Sequence, residues 1–436
     1  MSIHFNDTRS TIGKHMLADG MSPIIDLKKS HGSWLVDGKT GKEYLDLFSM
    51  YASMSVGYNN PYVLDNIDRL TSAAVNKPAN SDIYSPEMAE FVDTVGRVAQ
   101  PRYMPHAFFI EGGALAVENA LKTAFDWKAR KNISAGKSVG ENKVIHLQDC
   151  FHGRTGYTMS LTDSPDIRKT QFFPKFNWPR IINPTISFPI NDENLDSLIS
   201  VEEKSINELK TILRESADDI ACLILEPIQG EGGDNHFRKE YIRELQQLSQ
   251  DNDFLLIFDE VQTGIGITGK MWAHEHYGVE PDVMSFGKKT QCCGIFAGER
   301  LEEVENHVFK ESSRINSTFG GNLVDMVRFT IYLELIEKDD LVTMAANNGK
   351  YLLSSLMTLQ NNNEDLITNT RGKGLFCAYD LPSTDHRDRL IGNMEKEGVI
   401  ILGCGKNSIR FRPHLNITKN EIDLALSKMN KALSKL

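Results

Sequence analysis

Between Pro101 and Gly294 short apolar runs alternate with amphipathic stretches, the pattern of β-strands joined by crossover helices and hence of a mostly parallel sheet. The clearest strands are Ala107–Ile110, Val144–Leu147, Ala221–Leu225, Phe254–Phe258 and Val283–Phe286. After the first of them, Val117, Ala120, Leu121, Ala124 and Phe125 recur at the spacing of one helical face. That helix is expected to end near Lys128–Lys131, where cations suit the negative end of the helix dipole. Beyond Gly294 the pattern changes to longer helices, Val324–Ile336, Leu341–Leu359 and Ile422–Leu433, with shorter strands near Gly374–Tyr379 and Ser408–Phe411. The expectation is a large domain over residues 61–310, a smaller α+β domain over 311–436, and an N-terminal segment, 1–60, contributing to the small domain. The Asn-rich Gln360–Asn363 reads as a loop between helices.

Composition narrows the partners. With 48 Lys and Arg against 59 Asp and Glu, the formal net charge of -11 opposes a general affinity for nucleic acid or anionic lipid, so an anionic partner must be met by local arginines. The start, MSIHFNDTRSTIGKHM, does not read as a secretory signal, and no apolar stretch is long enough to span a bilayer. Cys150, Cys222, Cys292, Cys293, Cys377 and Cys404 form no C-x-x-C pair and read as buried thiols in a reducing cytoplasm.

The candidate chemistry lies at the C-terminal ends of the predicted strands, the edge where parallel sheets bind ligands. Phe254–Phe258 delivers Asp259 and Glu260, and Val283–Phe286, one crossover later, delivers Gly287 and Lys288. Singly, the acid reads as a turn cap and the lysine as a snorkelling surface residue beside Lys289. Together they make sense: a desolvated lysine has a lowered pKa and condenses with an aldehyde, while a buried carboxylate keeps a pyridine nitrogen protonated. Glu111-Gly112-Gly113-Ala114 precedes a helix start, where free N–H groups receive a phosphate, although a plain tight turn has the same letters. Phe151-His152-Gly153-Arg154 follows a fourth strand and offers an aromatic to stack on a ring and an arginine to grip a carboxylate; core packing and a surface ion pair are the bland alternatives.

These residues match a family. Leu225-Glu226-Pro227-Ile228-Gln229-Gly230-Glu231-Gly232-Gly233, Asp259-Glu260-Val261-Gln262-Thr263-Gly264, Pro281-Asp282 through Gly287-Lys288, and Ser317-Thr318-Phe319-Gly320-Gly321-Asn322 resemble class III aminotransferases, over nearly the whole chain. Within that class, the stretches Glu111–Lys122, Phe151–Tyr157 and Gly287–Gln291 are similar to the lysine 6-aminotransferase group. The resemblance implies a fold-type-I transferase dependent on pyridoxal 5'-phosphate (PLP): α/β, with a mostly parallel central sheet, flanking helices and a smaller α+β domain. It implies Lys288 as the Schiff-base lysine, Asp259 as the pyridinium partner, Gln262 near the ring hydroxyl, Phe151 on the ring, and Gly113 and Ala114 at the phosphate, with His152 and Glu226 in the same cofactor site. Thr318 would reach the phosphate of a neighbouring subunit, making a homodimer. Arg154 would hold the α-carboxylate of L-lysine, and Arg410 that of glutamate or 2-oxoglutarate, with Glu231 masking Arg410 while lysine is bound. Ornithine or 4-aminobutyrate as donor is the alternative within the class.

Some residues depart from the pattern. Gly112-Gly113-Ala114 stands where many members have Ser-Gly-Thr, so backbone donors must suffice, and His414 replaces a common proline. Arg412 lies so close to Arg410 that only the family pattern separates them. A rival from another class is a nucleotide-binding protein using Gly264–Lys270; Met271, where magnesium needs Ser or Thr, opposes a P-loop. His274 and His276 read as part of a helix end and not as a metal pair, and no metal is expected.

Overall fold

The computed structural model describes residues 3–436. Two short strands come first, β1 (Trp34–Val36) and β2 (Glu43–Asp46). Seven more form the central sheet: β3 (His106–Ile110), β4 (Lys143–Leu147), β5 (Arg180–Ile181), β6 (Ile220–Leu225), β7 (Leu255–Asp259), β8 (Val283–Phe286) and β9 (Cys293–Ala297). Their order is β3-β9-β8-β7-β6-β4-β5. All neighbours from β5 to β8 pair in parallel, and β9 runs antiparallel to both β8 and β3. Every residue of β6, β7, β8 and β9 is buried, which is why these strands read as unbroken apolar runs.

The helix Gly113–Ser134 lies on the sheet through Ala116, Val117, Ala120, Leu121, Ala124 and Trp127, all fully buried. On the other face Tyr241, Ile242 and Leu245 of the helix Lys239–Asp251 join Ile145, Leu223 and Leu256 in a second core. Toward the C-terminus β10 (Thr368–Lys373), β11 (Phe376–Asp380), β12 (Val399–Ile400), β13 (Leu402–Cys404) and β14 (Ser408–Phe411) follow. An antiparallel sheet takes the order β10-β11-β14-β13, and β12 pairs in parallel with β2 beside β1, so the N-terminal segment is stitched to the C-terminal part. The helix Leu323–Lys338, N-capped by Asn322, packs on the helix Pro86–Val98 as well as on Leu341–Asn361, and one apolar cluster runs through all three.

The predicted strands and helices are all present; Val283–Phe286 and Ser408–Phe411 match to the residue, and the others differ at one end or both. In the central sheet two strands escaped the pattern: β5, which has only two residues, and β9, interrupted by Gly294; outside it, β1, β2, β10, β12 and β13 escaped it too. Gln360–Asn363 does not join two helices: the helix continues to Asn361, and β10 follows. No helix among the described residues is long and apolar enough to cross a membrane.

Candidate active site

β7 and β8 are parallel neighbours with Asp259 opposite Ser285, so the chain leaving β8 brings Lys288 to the edge where β7 ends. Gly287 passes close to Cys293 and Val261, where a Cβ would lie 3.0 Å from the sulfur and 3.2 Å from Val261 Cγ1. Lys288 itself takes a left-handed φ of 53°, uncommon for a long side chain. Burial pushes its amine below the ordinary lysine range, against the opposing pull of the Asp259 and Glu226 carboxylates.

Asp259 is held rigidly. Its Oδ1 accepts the Val261 N–H at 3.0 Å, and its Oδ2 lies 2.8 Å from His152 Nδ1. Each oxygen therefore keeps lone-pair capacity for one more donor in the cavity. Burial opposes charge on His152, yet Cys150 and the bonded Asp259 outweigh it and raise the imidazole well above its ordinary range. The Nε2 of this buried ring has no partner among the described residues. Glu226 accepts the N–H groups of Phe151 at 2.9 Å and Gly230 at 3.0 Å, and burial pushes its pKa up to about 7.

Lys288, Asp259, His152, Phe151, Arg154, Glu226, Glu231, Gln262, Gly113 and Ala114 all line one cavity of about 330 Å³, together with Gly153, Val261 and Thr263. Gly113 opens its helix after Gly112, whose φ of 96° suits glycine, so the first N–H groups of that helix face the cavity wall without intrahelical partners. A Cβ on Gly113 would meet Val261 Cγ1 at 2.8 Å. Two predicted residues lie off this wall. Arg410, buried on β14, meets the cavity through Glu231, whose Oε2 is 3.2 Å from its Nη1. Thr318 is exposed and does not line the cavity of its own chain.

A matching family model, Aminotransferase class-III, spans residues 16–433. The chain belongs to the class III aminotransferases. It is 46% identical over 432 residues to an L-lysine-epsilon aminotransferase of Amycolatopsis lactamdurans, covering 98% of this chain and 96% of that one. It superposes on lysine aminotransferase from M. tuberculosis in the internal aldimine form with a TM-score of 0.97 at 45% identity, covering 99% and 100% of the two chains. The human mitochondrial 4-aminobutyrate aminotransferase is 32% identical, over 96% of this chain and 86% of that one. Class III aminotransferases are PLP enzymes of fold type I, and the cavity suits PLP: a desolvated amine, a fixed buried carboxylate and unpaired helix N-terminal donors share one wall.

In this class III aminotransferase the two arginines separate physically. Arg412 is fully engaged: Nη1 donates to Asp234 Oδ2 at 2.9 Å, Nη2 to Asp234 Oδ1, and Nε to Gln262 Oε1 at 3.1 Å, while its guanidinium lies 3.2 Å above the Phe376 ring. Arg410 faces Glu231 instead. Sequence reasoning missed Lys169, whose Nζ donates to Glu231 Oε1 at 2.6 Å and stands 5.6 Å from the Phe151 ring centroid. Burial favours a neutral Glu231, but Arg410 and Lys169 together hold its pKa below the ordinary range. Lys289 is no surface lysine; it is buried and donates to the Gln262 carbonyl at 3.0 Å.

The glycine-rich rival site has a packing role. A Cβ on Gly269 would lie 2.8 Å from Ala346 Cβ, one on Gly374 would lie 2.3 Å from the Thr268 carbonyl carbon, and Leu375 donates to the Ile267 carbonyl. The loop is thus pressed against the C-terminal part and not open to a phosphate. His274 spends its ring on Glu260 and Tyr103, and His276 on the Thr268 carbonyl.

Proposed function

We propose that this enzyme transfers the ε-amino group of L-lysine to 2-oxoglutarate, giving L-glutamate and 2-aminoadipate 6-semialdehyde, which cyclises to piperideine-6-carboxylate. The observation that carries the reading is the 46% identity over nearly the full length to an enzyme named for lysine, against 32% to one named for 4-aminobutyrate.

The geometry supports the following residue roles. Bound PLP supplies the electron sink for proton shifts at the substrate carbon. Lys288, its amine pKa depressed, would hold the cofactor by its aldehyde and would be the base that moves the proton at that carbon. Asp259, pinned by His152 and the Val261 N–H, would keep the pyridine nitrogen protonated. Phe151, its backbone fixed by Glu226, would stack on the ring. Gln262, whose Oε1 is taken by Arg412, would have its amide NH₂ left for the ring hydroxyl. Gly113 and Ala114 would give N–H groups to the phosphate.

Arg154 is exposed at the cavity and has no ion-pair partner among the described residues, which suits it to the α-carboxylate of a long donor that presents its far amine to Lys288. Arg410, masked by Glu231, takes the dicarboxylate in the second half-reaction. Thr318, exposed and away from its own cavity, serves a neighbouring copy in a cytoplasmic homodimer. The test is a panel of L-lysine, L-ornithine and 4-aminobutyrate with 2-oxoglutarate, scoring aldehyde and glutamate. Lysine is expected to lead; a silent lysine beside an active ω-amine would sink the assignment and leave the chemistry standing.

A further inference from the structure

Glu231 stands in the partition between two cavities. It lines the Lys288 cavity on one side, and on the other a space of about 560 Å³ bordered by Arg168, Lys169, Arg387 and Lys406, with Asp166 and Asp388 among them. The carboxylate is divided accordingly, with Oε2 toward Arg410 at 3.2 Å and Oε1 toward Lys169 at 2.6 Å.

Two of the other cations bordering that outer space have partners of their own, and the Lys406 amine has none among the described residues. Arg168 pairs with Asp166 at 2.7 Å; Arg387 pairs with Asp388 at 2.8 Å and also donates to the Gly405 and Lys406 carbonyls. Lys169 has Glu231 as its single acceptor among the described residues. The backbone beneath Glu231 is immobilised, because its carbonyl accepts the Gly405 N–H at 2.8 Å and a Cβ on Gly232 would strike the Asp149 carbonyl oxygen at 2.1 Å. A carboxylate leaving Arg410 must therefore move by side-chain rotation, and a half-buried carboxylate stripped of every partner is disfavoured.

We propose that Lys169 is a specificity-determining residue of the second half-reaction: it retains Glu231 as that carboxylate leaves Arg410, and so frees the guanidinium for a dicarboxylate. The inference rests on the proposed use of 2-oxoglutarate. With Lys169 present, Glu231 exchanges two partners for one; without it, Arg410 is the sole partner and the mask stays shut.

The test is steady-state kinetics of the PLP-loaded enzyme with both substrates varied. Lys169→Met is expected to raise KM for 2-oxoglutarate about 10-fold while KM for lysine stays within about twofold, and Lys169→Arg to restore it, in line with ordinary coupling between charged sites. In a Glu231→Gln background Lys169→Met should add nothing. An unchanged KM for 2-oxoglutarate, or an equal rise for lysine, overturns the proposal. So does an effect that persists without Glu231, since Lys169 would then grip the acceptor directly. Wild-type enzyme that does not use 2-oxoglutarate at all would instead defeat the underlying functional reading.

Discussion

Asp234→Asn isolates the charge that holds Arg412 in place. Asp234 is fully buried, Arg412 is only 2% exposed, and the carboxylate takes both terminal guanidinium nitrogens. Asparagine keeps the shape and tolerates the left-handed φ of 51° at this position, so the substitution removes charge and little else. An exposed pair of this kind would contribute about 0–1 kcal/mol. A buried one, broken on one side, leaves an uncompensated cation and costs about 3–5 kcal/mol, a large share of a typical net stability of about 5–15 kcal/mol. Asp234→Asn combined with Arg412→Met removes both charges and should recover most of the loss. Urea unfolding of the PLP-saturated variants reads the difference from midpoint and slope. A single variant within about 1 kcal/mol of wild type, or a double variant as unstable as the single, would refute the argument that desolvated charge dominates here.

Three further outcomes are expected. Lys288→Ala should abolish transamination and the visible absorbance of the lysine-bound cofactor while far-UV circular dichroism stays native; residual turnover within about 10-fold of wild type contradicts the role of Lys288. Glu226 has a folded pKa of about 7 against an ordinary 4.5, so between those pH values the folded state binds more protons than the unfolded chain and stability falls as pH rises. Unfolding of cofactor-free protein across that window should show wild type losing about 3 kcal/mol relative to Glu226→Gln, and parallel curves would disprove it. Glu231→Gln unmasks Arg410, so kcat/KM for lysine should fall about 5- to 150-fold with KM for 2-oxoglutarate not raised; a loss confined to 2-oxoglutarate contradicts the masking role.

The sheet edge was legible because each strand ends in a change of residue type: five buried apolar positions, Phe254–Phe258, and then Asp259, and three buried apolar residues with Ser285 among them and then Gly287-Lys288. Such boundaries survive in a linear reading. The Glu231 clamp was only half legible, since Lys169, at the end of the single 3-10 turn Ile167–Lys169, looks like any surface lysine until the fold brings it to a carboxylate 62 residues away. Arg410 and Arg412 share parity, so strand alternation places them on one face. β14, however, stops at Phe411, and the Arg412 N–H donates instead to the Leu47 carbonyl at 2.7 Å. The chain leaves the pleat between them, which turns one guanidinium toward Glu231 and the other toward Asp234.

That departure ties the site to a conformation that no residue type announces. Ser49, Met50, Tyr51 and Ala52 all adopt left-handed φ angles, at roughly 1–2 kcal/mol per non-glycine residue. Such a turn persists only where its surroundings over-determine it. Asp46 Oδ1 accepts the N–H groups of Phe48 and Ser49, and Ser49 Oγ donates to the Arg412 carbonyl at 2.5 Å. A few residues on, Ser55 Oγ donates to the Lys289 carbonyl at 3.0 Å. The turn is thus fastened to the residue after Arg410's strand and to the residue after Lys288, and it sets the Tyr51 ring 5.9 Å from the Arg410 guanidinium. The N-terminal segment is therefore no appendage: the geometry around both the amine and the arginine depends on a strained turn held by hydrogen bonds that only the assembled fold supplies.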